Sequence, residues 1–316
     1  MYNSLHEAFI TTPLMGVLKD GIIACSSIRT GAESYTLGEY FFQSLFLRMT
    51  GTQEQKMKCI YWELATNDYV YRYELMNSKN YGECSNYSEK CSIYKDIISQ
   101  IKKIQSYFST YRIWDDVKIP DAEKSSERVK WENKIKTNWE KQIADAVKKQ
   151  EEKIGGMLSQ EKKDKIRLSI TSRPLPEEDF TKHLAAIRKR KAIDRLVGDV
   201  IHLLASSNII LWKQREFDDF SSLWGKQVQS KQIAPSDVKL FETKLQKLYE
   251  TVVYAHRNRC AHNTTSYQQD LPSLDTIAEN DYYLQNYYYR FTLLIIIDEV
   301  FMRLYKYYRC VSNDAI

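Results

Sequence analysis

The feature that most restricts this chain is how seldom it is interrupted. Ten glycines and six prolines in 316 residues leave long segments without a helix breaker. Such a chain suits helices far better than sandwiches or doubly wound sheets, whose many turns call for both residue types. A hydrophobic content of 43%, with 13% aromatic, supplies ample core material and excludes global disorder. The expected fold class is all-α, a helical bundle. The length allows two compact domains, or one large helical body with an inserted arm.

Residues from Ser4 to about Tyr111 read as helices separated by short breaks. Thr36 to Met49 is densely apolar. Gly51 and Thr52 are expected to separate it from a second helix, N-capped by Thr52, with Met57, Ile60, Tyr61, Leu64, Ala65 and Tyr69 on one stripe. A third helix, Ser88 to Tyr107, carries Ile93, Ile97, Ile98, Ile101 and Ile104. These apolar residues are expected to form core. No glycine-rich phosphate loop occurs, which argues against nucleotide hydrolysis here.

Composition shifts near Asp115, beyond which Lys and Glu alternate to about Asp164. The sparse stripe Trp131, Ile135, Trp139, Ile143, Val147 predicts a solvated helix or helical hairpin that lays one narrow seam on a neighbour. Gly155 and Gly156 should end it, and Ser172 to Pro176 is the clearest linker. The expected parts are a helical N-terminal region at 1–114, a charged arm at 115–171 and a helical domain at 172–316.

Three long helical patterns follow. The first, Glu177 to Gln214, carries the basic run Arg188, Lys189, Arg190 and Lys191, a candidate for phosphate contact that equally suits an exposed face. Within it Arg195 and His202 are separated by six residues, but His202 lies in an apolar run and is expected to be core. The second begins after Pro235-Ser236-Asp237 and runs through Phe241, Leu245, Leu248 and Val252 to Ala255. A loop from Asn263 to Asp281 with Pro272 follows, then an apolar, tyrosine-rich helix from Tyr282 to Tyr308. Its tyrosines surround the helix, so packing or dimer contact is expected ahead of base stacking.

The net charge of +5 permits a polyanionic partner without requiring one. The six cysteines are scattered, and Cys84 and Cys91, the one close pair, fit no zinc spacing, so no metal or other cofactor is expected. The start of the chain lacks a basic leader followed by an apolar run, and Leu293 to Ile297 is too short to span a bilayer. No membrane association and a cytoplasmic location are expected.

Chemistry concentrates in Arg257-Asn258-Arg259-Cys260-Ala261-His262 at the end of the second pattern. An imidazole with an ordinary pKa of about 6.5 can take the proton of a ribose 2′-hydroxyl or return one to a leaving 5′-oxygen. A guanidinium can hold the phosphate and the extra charge of its pentacoordinate transition state. The same residues also suit a plain basic helix end, where cations meet the negative end of the macrodipole and Asn263 takes the C′ position.

This stretch resembles the Arg-Asn-x-x-x-His signature of the HEPN superfamily, dimeric all-α ribonucleases common among bacterial toxins and antiphage effectors. The resemblance is confined to the last part of the chain. It implies Arg257 as phosphate ligand, His262 in proton transfer, and Asn258 orienting the imidazole or holding phosphate. His256 and Arg259 are auxiliary, Arg259 as an RNA contact and His256 without a catalytic role. Arg257 and His262 are five residues apart and point in different directions on a straight helix. The resemblance therefore implies a composite site across a two-fold axis in a homodimer, with RNA as substrate and an antitoxin or defence protein as partner. The rival expectation is a catalytically silent helical module that dimerises and binds RNA or protein.

Overall fold

In a computed structural model, the described residues are 5–25, 34–77, 84–207, 213–262 and 286–314, with the side chains of 34–36, 262 and 314 left out. The expected loop with Asn263 and Pro272, as well as Tyr282 and Tyr283, lies outside them. The helices are α1 (Leu5–Thr11), α2 (Met15–Cys25), α3 (Ser34–Asn67), α4 (Tyr69–Asn77), α5 (Tyr87–Ile104), α6 (Asp121–Ile154), α7 (Gln160–Thr171), α8 (Glu177–Ala205) and α9 (Gln214–Gln227). A two-stranded antiparallel ribbon follows, β1 (Ile233–Ser236) and β2 (Lys239–Phe241). Then come α10 (Thr243–Leu248), a π-helical segment (Tyr249–Tyr254), α11 (Ala255–His262) and α12 (Tyr287–Asp314). The all-α expectation holds, with this ribbon as the only sheet among the described residues.

Met1–Ile113 and Arg190–Ile316 close into one compact unit, and Trp114–Lys189 into another. The regions expected at 1–114 and 172–316 are thus largely one body, because α12 needs the N-terminal helices to cover it. It is apolar on nearly every side and packs against α1, α3, α5 and α9. A helix of that kind is stable in water only when enclosed. Tyr287, Tyr288, Tyr289, Tyr305 and Tyr308 are all buried, so these rings form core. Phe42 stacks on Tyr287 and Phe291, while Phe217, Phe220 and Trp224 of α9 meet Tyr288 and Tyr289.

Polar side chains tie this core together. Lys56 of α3 and Asp298 of α12 are 2% and 4% exposed and lie 2.7 Å apart. Lys56 also donates to the carbonyl of Thr12, and Asp298 accepts from the backbone N–H of Leu14 at 2.7 Å. The turn between α1 and α2 is thereby held by both partners. Nearby, Gln53 donates to the carbonyl of Leu294 at 2.8 Å. Gly21 of α2 faces Leu45 so closely that an added Cβ would lie 2.7 Å from its methyl carbon.

Several local expectations are corrected. α3 runs through Gly51 and Thr52 without a break, and the Thr52 hydroxyl donates back to the Arg48 carbonyl at 2.8 Å instead of capping a new helix. Pro235-Ser236-Asp237 lies in the β1–β2 ribbon, where no helix starts. Asp237 instead accepts from the Thr110 N–H at 2.9 Å and pairs with Lys102 at 2.6 Å. The ribbon's register slips between Ile233 and Ser236, where Ala234 takes a φ of 42°. α8 ends at Ala205, short of the expected Gln214, and His202 is exposed. Its ring sits on the face of α8 away from Val200 and Leu204, which are buried.

The second unit follows the charged pattern. α6 is largely solvated, with Trp131 buried and Ile135, Trp139, Ile143 and Val147 half-buried as a narrow seam. It ends at Gly155, whose φ of 68° is the left-handed cap conformation that glycine adopts without strain. Trp131 packs with Phe180, Leu184 and Ile187, and Arg128 lies over the Trp131 and Phe180 rings while pairing with Glu132 and Glu177.

The Lys56–Asp298 pair predicts a specific stability pattern. Lys56→Met leaves a buried carboxylate without its cation and should cost about 3–5 kcal/mol in denaturant unfolding. Lys56→Met with Asp298→Leu should recover most of that loss. A single variant within experimental error of the parent contradicts the assignment.

Candidate functional site

The motif sits at the end of one helical path. α10 passes into the π-helical segment and then into α11, with helical backbone at each junction. The wider i→i+5 turns of the segment change which residues face which neighbour downstream, a device often found near functional sites. Tyr249, Val252 and Val253 anchor the segment in the core. Arg290 of α12 donates its Nε to the Val252 carbonyl at 2.8 Å and fastens it from the other side.

Arg257 is held by two acceptors. One terminal nitrogen donates to Asn258 Oδ1 at 3.2 Å and the other to Glu54 Oε2 at 3.4 Å. Glu54 is shared, since its Oε1 pairs with Lys58 at 2.9 Å. Donating to Glu54 raises the Lys58 pKa, and burial opposes it. Arg257 and Glu54 line a cleft with Thr50, Ser85, Tyr249 and Lys90, whose enclosed volume of about 10 Å³ has room for a single water. Lys90 is 2% exposed and donates to the Cys84 carbonyl at 2.7 Å. Burial pushes its ammonium down to about 8. Arg257 and Lys58 thus share one carboxylate, with the buried Lys90 lining the same cleft as Arg257.

The adjacent residue faces elsewhere. His256 packs on Phe46 and Tyr287 with ring centroids 5.2 Å away in each case. Arg259 approaches its Nδ1 at 3.4 Å, and a guanidinium can only donate. Nδ1 is therefore the acceptor, and the hydrogen lies on Nε2, directed at the Tyr287 hydroxyl oxygen 3.1 Å away. Burial, with Arg290, Arg259 and Lys213 adding to it, pushes this imidazole from 6.5 down to about 2. His256 is a neutral packing residue.

Among the residues singled out from sequence, Arg257 and Asn258 are in direct contact. Arg259 is exposed and turns toward His256, away from Arg257's partners. His262 is the last residue of α11, and its side chain lies outside the described residues. The basic run of α8 is not one face: Arg190 is exposed, Lys191 half-buried and Lys189 buried, while Arg188 pairs with Asp115 at 2.7 Å. Sequence reading missed Glu54, Lys90 and Arg290. Lys90 was detectable, since it shares the helical stripe of Tyr87, Ile93, Tyr94 and Ile97, where a lysine must be core-facing. Arg290 was detectable as the lone charge in an apolar run.

Because His256 is neutral when folded, the unfolded chain binds its proton first as pH falls through 6.5. Stability present above that pH is lost progressively as pH drops toward about 2. Unfolding measured at about pH 7.5 and about pH 5 should show this loss, and His256→Gln should reduce it. A His256 resonance titrating near the ordinary value contradicts the assignment.

No family model, characterised protein or solved structure matches this chain. The HEPN resemblance therefore rests on the motif and its setting.

Proposed function

We propose that this chain is a metal-independent endoribonuclease of HEPN type, acting in the cytoplasm as a toxin or antiphage effector. The observation that carries this reading is Arg257, fixed by Asn258 and Glu54 beside Lys90 on the helix that ends in His262. In the reaction, the 2′-oxygen attacks the neighbouring phosphorus and its proton passes to a base. The bond from phosphorus to the 5′-oxygen breaks, and that oxygen takes a proton. The products are a 2′,3′-cyclic phosphate and a 5′-hydroxyl. His262 serves in proton transfer, Asn258 orients it or holds phosphate, and Arg257 stabilises the pentacoordinate phosphorane. Arg259 and the exposed Arg190 add RNA contacts. A homodimer supplies the second motif, which removes the difficulty of the five-residue spacing between Arg257 and His262.

Glu54 gives this reading a restraint. A carboxylate on Arg257 competes with the substrate phosphate for the same guanidinium, so the resting chain is held back until RNA or an activating partner displaces it. No single helix among the described residues is long and apolar enough to cross a membrane.

Arg257→Ala should lower RNA cleavage by about 100-fold or more, the usual cost of removing a transition-state donor. Glu54→Gln, which keeps the shape and removes the competing charge, should raise cleavage at limiting RNA. Arg257→Ala that weakens RNA binding with no cleavage by the parent protein favours the silent binding module instead.

A further inference from the structure

Lys90 is a buried cation without an acid beside it. Among the described residues it forms no ion pair, and its ammonium donates to the carbonyls of Cys84 at 2.7 Å and Ser85 at 3.4 Å. An ammonium has three donors, so one N–H is left over. Glu54 and Arg257 line the same cleft, whose enclosed volume of about 10 Å³ takes one water and is too small for a phosphate. Glu54 is tethered through Oε1 to Lys58 at 2.9 Å, a pair four residues apart on α3. Its Oε2 meets Arg257 through one N–H at 3.4 Å, without the bidentate geometry that makes a guanidinium–carboxylate pair strong. One oxygen is thus fixed and the other loosely held, beside a water-sized space and a buried ammonium.

We propose that Lys90 is a second seat for Glu54: Oε2 turns from Arg257 into the cleft and pairs with the buried ammonium, while Oε1 stays on Lys58. A carboxylate oxygen is close to a water in size, so the move fills the space already enclosed there. The purpose of the exchange, though not the exchange itself, rests on the ribonuclease reading. An RNA phosphate arriving at Arg257 repels Glu54, and the seat on Lys90 offsets the contact that Glu54 gives up. In the resting chain Glu54 stays on Arg257 because that half-buried pair keeps some solvent, whereas pairing with Lys90 desolvates the carboxylate further. Burial pushes Lys90 down to about 8 against the Cys84 thiol, Glu54 and Glu89, with Arg257 adding to the fall, so the ammonium is the major form at neutral pH. Lys90 is then a positioning residue, which acts on RNA access through Glu54 without touching RNA.

The test is the titration of Lys90, followed by NMR of the full chain labelled at lysine, with its signal assigned by loss in Lys90→Arg. Parent, Glu54→Gln, Arg257→Gln and the double variant form a cycle that separates contact from action through space. With Arg257 present, removing the Glu54 charge should lower the proton affinity of Lys90 slightly. With Arg257 gone the carboxylate sits on Lys90, so the same change should lower it at least about tenfold more. Equal decreases in the two backgrounds overturn the proposal. Binding of a single-stranded RNA with 2′-deoxyribose at the cleaved position supplies a second cycle, which decides the matter if Arg257→Gln fails to fold. Lys90→Met should weaken that binding about fivefold in the parent and leave Glu54→Gln unchanged, because the seat matters only to a charged Glu54. Equal weakening in both backgrounds overturns the proposal. A parent that binds no RNA refutes the ribonuclease reading, and the Lys90 titration then decides the exchange by itself.

Discussion

The Lys56–Asp298 pair is the constraint on which the larger unit depends. Two charges enclosed in an apolar interior are tolerated only when each finds its opposite and its remaining hydrogen bonds. Here the carboxylate takes the ammonium on one oxygen and the Leu14 N–H on the other, and the ammonium also reaches the Thr12 carbonyl. That geometry exists in one arrangement of α1, α2, α3 and α12. Apolar burial drives these helices together without direction, and the ion pair fixes their register. Gln53, one turn before Lys56, adds a second fixed point on α12 through Leu294.

With α3 and α12 placed, α11 is gripped from both. Glu54 lies on the same helix as Lys56 and reaches Arg257, while Arg290 lies on the same helix as Asp298 and reaches the π-helical segment through Val252. The motif helix is therefore positioned by residues of the same two helices that carry the central pair. The π-helical turns set Arg257 toward the Glu54 and Lys90 cleft and His256 toward Phe46 and Tyr287. One short helix thus turns Arg257 to an acidic partner and His256 to a packed, neutral environment. Consecutive residues with similar chemistry are separated by environment, as their opposite hydrogen-bond partners show.

Much of the helical plan was legible because apolar periodicity dominates it. The stripe of α5, the glycine stop of α6 and the motif at the end of α11 follow from local pattern and residue type. Tertiary contacts decided the rest. Gly51 and Thr52 suggest a boundary, yet α3 continues because Met49, Gln53 and Met57 are buried on both sides of them. Asp237 has the chemistry of a helix start, but its carboxylate goes to Thr110 and Lys102, far away in sequence. The Arg257–Glu54 contact joins residues 203 apart, and no local signal specifies it. His202 shows the opposite error, since an apolar neighbourhood in sequence became an exposed position on the helix. At the site, residue type alone marked Arg257, Asn258 and His262, whereas the burial that neutralises His256 emerges only from packing.

The central claim is that the motif cleaves RNA through the ribose 2′-hydroxyl. The most direct measurement is end-group analysis of RNA incubated with the purified full chain in EDTA, beside His262→Ala and beside a substrate carrying 2′-deoxyribose at the cleaved position. The account predicts 2′,3′-cyclic phosphate and 5′-hydroxyl ends with the parent protein, no products with His262→Ala, and an intact 2′-deoxy substrate. Cleavage of the 2′-deoxy substrate, or 5′-phosphate ends, would contradict it.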